Sequence, residues 1–232
     1  MNVFKKIGVF VGLSGLLLAS STNVDTNYVA KYATKWYAKD YGTQNRNQNY
    51  FTNYNYGNNN NCTNFVSQCL ISGLNKKLNS KDNLFKTRPW VGSNADNRYW
   101  KKRWRLNNST WKAANEFYYY AKQQEPRKNY VAGGLEMKYI THDTRSRYLN
   151  YNKVKIGDIV FADWESDGKI DHSMIVTDFR SWKPGYFKII LTYQGSTDRN
   201  RLGNGAGFKK SLGAMNSSRA QFIVYRPIRF IK

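Results

Sequence analysis

The chain reads as an α+β domain, with helices in its first half and an antiparallel sheet in its second. Three observations carry that reading. Apolar residues in the first half recur at helical spacing. From Leu135 onward the period falls to two. Lys183-Pro184-Gly185 then forms a turn between two strand-like runs, which makes them an antiparallel hairpin. Helices followed by meandering strands define the class.

Residues 1–21 have the layout of a secretory signal. Lys5 and Lys6 precede an apolar run from Ile7 to Ala19, and Leu18-Ala19-Ser20-Ser21 offers small residues for cleavage. The run is shorter than the ~20 apolar residues of a membrane span, although an uncleaved anchor is the alternative. The expectation is therefore an exported protein, secreted or at the cell surface, with no transmembrane partner. Residues 22–232 contain no linker, repeat or second signature, so they are read as a single domain.

Within that domain, Val29, Ala30, Ala33, Trp36, Tyr37 and Tyr41 form a helical stripe opposite Lys31, Lys35 and Lys39. Gly42 to Asn61 is rich in Asn and Gln, lacks periodicity and reads as a loop. A second helix starts at Cys62, where Phe65, Val66, Cys69 and Leu70 repeat at helical spacing. Asn61 suits its N-cap and Gly73 its stop. Arg88 to Trp111 interleaves Trp90, Tyr99, Trp100, Trp104 and Trp111 with Arg98, Lys101, Lys102, Arg103 and Arg105. Such a pattern can stack bases or sugars and pair phosphates, but a loop anchored by buried tryptophans is the simpler reading. Ser109 then caps a helix with Trp111, Ala114, Phe117, Tyr118 and Ala121 on one side. Strands are expected at Leu135–Thr141, Ile156–Asp163, Ser173–Phe179, Tyr186–Tyr193 and Gln221–Tyr225.

The chemistry centres on Cys62. A cysteine in the first helical turn meets unpaired N–H groups and a partial positive charge, which favour thiolate over thiol. Cys69, the only other cysteine, lies seven residues on. At 1.5 Å rise the two Cα atoms are roughly 10 Å apart, too far for a disulfide. Cys69 therefore reads as a core residue and Cys62 as exposed. A base is available in His172, at the head of the Ser173–Phe179 strand. Gln194, at the end of the next strand, can reach the imidazole and hold its tautomer. Asp171 is a poorer orienting group, because adjacent strand residues face opposite ways, and Asp198 is held in reserve. The remaining histidine, His142, receives no role.

Composition adds one further pointer. The formal charge of +22 drops by two if Lys5 and Lys6 leave with the signal. It favours polyanionic partners such as nucleic acid, teichoic acid or anionic lipid. AT-rich coding explains the same excess of Lys, Asn and Tyr without any partner. With two cysteines there is no disulfide framework, so an ordinary core, rich in the 16% aromatic residues, must carry stability.

Cys62-Thr63-Asn64-Phe65-Val66-Ser67-Gln68, then Gly157-Asp158-Ile159-Val160, then Asp171-His172-Ser173-Met174-Ile175-Val176-Thr177 resemble, in that order, the putative amidase domain family. That family belongs to the papain-like NlpC/P60 group of bacterial cell-wall hydrolases, and the similarity runs from about Asn27 to Asp198. The resemblance implies a papain-like fold, with the nucleophile on a helix N-terminus packed against an antiparallel sheet carrying the histidine. It makes Cys62 the nucleophile and His172 the base. A polar third residue, often His in the group, falls near Gln194. Two departures stand out: Asn61 where the family usually has Asp, and Gln in the third position, which weakens orientation of the base.

Asp163-Trp164-Glu165-Ser166-Asp167-Gly168 begins like a calcium loop, but its twelfth position is Met174 where a bidentate glutamate is required. A turn built on Asp-Gly explains it better, so neither metal nor cofactor is expected. Two functions follow. One is an exported cysteine amidase or peptidase cutting an amide bond in peptidoglycan or another peptide-like wall component. The other is a catalytically degenerate basic module that holds anionic wall polymer or nucleic acid. A thiol-directed probe separates them, since a low-pKa nucleophile labels rapidly near neutral pH.

Overall fold

A computed structural model describes residues 21–37, 62–76, 78, 113–124, 134–143, 152–183, 186–194, 208–211 and 219–231. The signal (apart from Ser21), the Gly42–Asn61 loop, the Trp/Arg-rich segment, Ser109, Pro184-Gly185 and Asp198 lie outside them.

Helix α1, Thr26–Trp36, starts where Asp25 adopts extended backbone and its carboxylate accepts from the Asn27 and Tyr28 N–H groups. Such a cap stabilises a helix by about 1 kcal/mol. The helix buries Val29, Ala30 and Ala33 of its expected stripe together with Tyr32, while Trp36 and Tyr37 are half-buried. It ends at Trp36, with Tyr37 extended, rather than continuing toward Tyr41.

Helix α2, Cys62–Asn75, runs through Gly73 instead of stopping there. A Cβ at Gly73 would lie 2.5 Å from Val29 Cγ2 and 2.9 Å from Val24 Cγ1. This glycine therefore permits close approach of α1 and α2. Lys76, with φ 51°, takes the left-handed conformation after the helix end. Helix α3, Ala114–Gln123, has Ala113 at its N-cap without a side-chain bond, so it starts later than a Ser109 cap would place it.

Seven strands follow among the described residues: β1 Ser21–Asn23, β2 Gly134–Asp143, β3 Ile159–Asp163, β4 His172–Lys183, β5 Tyr186–Tyr193, β6 Phe208–Ser211 and β7 Gln221–Ile231. All pair antiparallel in one sheet of order β1-β7-β3-β4-β5-β6, with β2 also on β7. Strand β7 is the organiser: β2 follows one of its edges, while β3 and β1 share the other. The five expected strands are all present, with shifted ends, and the α+β class with an antiparallel sheet holds. The short strands β1 and β6 had no sequence signal. Ser21, assigned to the leader, pairs with Ile231 in β1.

Both faces of the sheet are buried. One packs Ile159, Phe161, Ile175 and Tyr225 against Val29, Ala33, Phe65, Cys69, Leu70 and Phe117 of the helices. The other groups Val160, Ala162, Met174, Val176, Leu191, Tyr193, Phe222 and Val224. Burial on both sides explains why β3 reads as a continuous apolar run rather than an alternating one.

The Gly157-Asp158 pair before β3 is architectural. Gly157 has φ +85°, and a Cβ there would come 2.5 Å from Thr26 Cβ and 2.6 Å from Thr26 O. Asp158 is fully buried. Its carboxylate accepts from Arg226 Nε at 2.7 Å, Arg226 Nη2 at 2.8 Å and the Lys155 N–H at 2.7 Å. Burial pushes the Asp158 carboxyl up, against the pull of Arg226 and the Lys155 amide. Removing one partner of a buried ion pair strands the other charge, at about 3–5 kcal/mol. Arg226→Met should lower the unfolding free energy by roughly that amount in urea titration.

Candidate active site

Cys62 is the first residue of α2, and the first turn of that helix carries no charged side chain. Its N–H groups have no intrahelical partners, so their field falls on the cysteine undiluted. The helix start is pressed onto the start of β4. Thr63 Oγ1 lies 3.0 Å from Ser173 Oγ and 3.6 Å from Cys62 Sγ. His172, preceding Ser173, hydrogen-bonds the sulfur, as does the Ser173 backbone amide. The structure thus brings together the two residues that the sequence singled out from positions 110 residues apart.

Burial pushes the Cys62 thiol up, yet the His172 imidazole, the Thr63 hydroxyl and the Ser173 amide together outweigh it, and the thiol is lowered to about 7. Cys69, equally buried but without such partners, is held well above the usual thiol range by burial. Both cysteines are free. The expectation of an exposed Cys62 is corrected: it is 1% exposed and belongs to the core cluster with Phe65, Val66 and Cys69, with Thr63 Oγ1 3.6 Å from its sulfur.

His172 is also 1% exposed, and its Nε2 has no hydrogen-bond partner among the described residues. Its ring is held by aromatic packing, edge-on to Tyr193 at 5.0 Å and tilted against Trp164 at 6.3 Å. The expected hydrogen bond from Gln194 to the imidazole is not formed. Gln194 donates from Nε2 to the Trp36 carbonyl at 2.9 Å, tying the end of α1 to the sheet.

The cause is a change of register. From Arg180 to Asp178 the β4–β5 pairing would, if continued, set Gln194 opposite Met174, on the face His172 shares. A shift between Val176 and Asp178 pairs Ile175 with Thr192 instead. One residue of slip exchanges the two faces, so Gln194 joins the Ser173 face and Tyr193 turns to His172. Asp171, exposed, accepts from the Trp164 N–H at 2.9 Å and serves the β3–β4 turn. His142, on β2, bonds Gln221 Oε1 at 2.9 Å.

The calcium-like segment lies in that turn. Asp163 accepts from the Asp167 and Gly168 N–H groups, and Gly168 has φ +85°. Asp163, Glu165 and Asp171 present carboxylates within 4.8 Å of one another, and Asp163 and Asp171 also accept from backbone N–H groups of the turn.

Sequence reasoning missed Thr63, Ser173, Tyr193 and Trp164. Thr63 and Ser173 adjoin Cys62 and His172 within the same motifs, and that adjacency was a signal that could have marked them.

The chain belongs to the putative amidase domain family, whose model matches residues 23–211. No curated protein and no solved structure matches it. The family points to hydrolysis of a C–N amide bond.

Two predictions follow from this geometry. Gln194→Ala should cost roughly 1–2 kcal/mol in chemical denaturation, through the Trp36 carbonyl it strands, and leave the Cys62 titration unmoved. A thiol lowered on folding contributes stability that is present above the unfolded thiol value, near 8.5, and lost as pH falls through about 7. Wild type should therefore gain stability over Cys62→Ala between pH 6 and pH 9, read from urea midpoints at the two pH values.

Proposed function

We propose that this protein is an exported cysteine hydrolase that cuts an amide bond in peptidoglycan or another peptide-like wall component. The observation that carries the reading is Cys62, at a helix N-terminus, hydrogen-bonded to His172. The thiolate attacks the amide carbonyl carbon, and the electron pair moves to the carbonyl oxygen. The N–H groups of the first turn of α2, that of Cys62 included, stabilise this oxyanion. His172, carrying the proton taken from the thiol, gives it to the leaving amine nitrogen as the C–N bond breaks. It then takes a proton from water, which attacks the thioester and releases the acid and the restored thiolate.

Both reacting side chains are buried, so a substrate reaches the sulfur only when the site opens. The family supports the amide bond. The wall substrate rests on the sequence resemblance to NlpC/P60 hydrolases, and export on the signal-like segment at residues 1–21. The +22 charge suits a surface rich in anionic polymer.

A second reading is favoured by the closed thiol and by the imidazole that lacks an orienting hydrogen bond. In it the fold is a degenerate, basic binding module. Purified wall material digested with the protein, with products identified by mass spectrometry, distinguishes the two. The hydrolase releases new amine and acid ends. The module releases nothing and binds wall polymer in a salt-sensitive manner. Cys62→Ala and His172→Ala should each remain folded and lose at least about 10³-fold in turnover. Undiminished hydrolysis by either variant contradicts the proposal.

A further inference from the structure

The buried hydroxyls of Thr63 and Ser173 form a chain that ends on the Cys62 sulfur. Thr63 Oγ1 stands between Sγ at 3.6 Å and Ser173 Oγ at 3.0 Å, and Thr63 and Ser173 are both fully buried. In an apolar interior, such hydroxyls are retained only when their hydrogen bonds are met. We propose that Thr63 and Ser173 are positioning residues that stabilise the Cys62 thiolate through a hydroxyl chain whose direction is set by ionisation.

A hydroxyl has one proton to give. When Cys62 is a neutral thiol, its S–H can donate to Thr63, and Thr63 can in turn donate to Ser173. A thiolate only accepts. Thr63 must then turn its proton to sulfur, and Ser173 must donate to the Thr63 oxygen. Ser173 thus reinforces the donor that faces the charge, since linked hydrogen bonds polarise one another. The Ser173 backbone amide adds a second donor to the sulfur. Ser173 therefore serves the thiolate twice, by its main chain directly and by its side chain through Thr63.

The chain also does what the missing imidazole hydrogen bond does not. With Nε2 of His172 unpartnered and its ring held by Tyr193 and Trp164, polar anchoring of the pair comes from the cysteine side. The inference rests on the reading of Cys62 as a thiolate nucleophile, and its test separates the two.

The thiolate is titrated by its absorbance near 240 nm, with Cys62→Ala as the blank, in wild type, Thr63→Val, Thr63→Ser and Ser173→Ala. Circular dichroism monitors folding. Wild type should titrate near 7. Thr63→Val, nearly isosteric but without the hydroxyl, should move the midpoint up by about one pH unit, as expected for a lost hydrogen bond to a charged form. Thr63→Ser should restore it, and Ser173→Ala should give a smaller upward shift that vanishes in the Thr63→Val background, because the Ser173 hydroxyl acts through Thr63. A merely structural hydroxyl pair would lower the thermal midpoint of these variants and leave the titration in place; that result overturns the inference alone. A wild-type midpoint near the ordinary thiol value overturns the thiolate reading along with it.

Discussion

The contact on which the site depends is the docking of the first turn of α2 against the first residues of β4, joined by the Thr63–Ser173 hydrogen bond. It links a helix and a strand 110 residues apart in sequence, in an interior where an unmet hydroxyl costs about 1–3 kcal/mol. Because Cys62 and Thr63 are neighbours on one side and His172 and Ser173 on the other, fixing the hydroxyls fixes the thiol against the imidazole. The same docking seats Phe65, Cys69 and Leu70 on the sheet. Gly73 allows α1 to close over α2 from the far side. Packing and the placement of the thiol beside the imidazole are therefore set by one interface.

The sheet supplies the other half of the constraint. Strand β3 is held between β4 and β7, and its entrance is locked by Gly157 against Thr26 and by Asp158 on Arg226. These residues lie in one of the three motifs, yet they bear on the backbone rather than on the sulfur. A motif can thus mark a scaffold position as firmly as a reactive one. The backbones of Gly157 and Asp158 also bond Val176 of β4, at 2.8 Å from the Gly157 N–H and 2.9 Å to the Asp158 carbonyl, which ties the entrance of β3 to the strand that carries His172.

Much of this was legible in the residues themselves. The helical stripe of α1, the amphipathic start of α2, the change from helices to strands and the β4–β5 hairpin all survive in the structure, because each rests on a run of residues that the core buries. Element ends were less legible. Gly73 reads as a stop but is used for close approach, since sequence does not distinguish a glycine needed for its φ from one needed for its missing Cβ. Strands β1 and β6, three and four residues long, are too short to carry a periodicity. The third member of the site failed for a sharper reason. One irregularity between Val176 and Asp178 reverses which face each later side chain of β5 occupies relative to His172, and nothing in the Thr177 neighbourhood announces it. Cys62 and His172 could be named because their chemistry is rare; Thr63, Ser173 and Tyr193 could not, because their roles exist only in register and contact.

The account stands or falls on whether a covalent bond forms at Cys62 during turnover. Rapid acid quenching of the protein with soluble peptide fragments of peptidoglycan, followed by intact-mass measurement and peptide mapping, reads that directly. The account predicts an added acyl mass on the peptide containing Cys62, labile to hydroxylamine as a thioester is, and absent from Cys62→Ala. Release of product with the acyl group carried on another residue, or with Cys62→Ala turning over as wild type does, would contradict it.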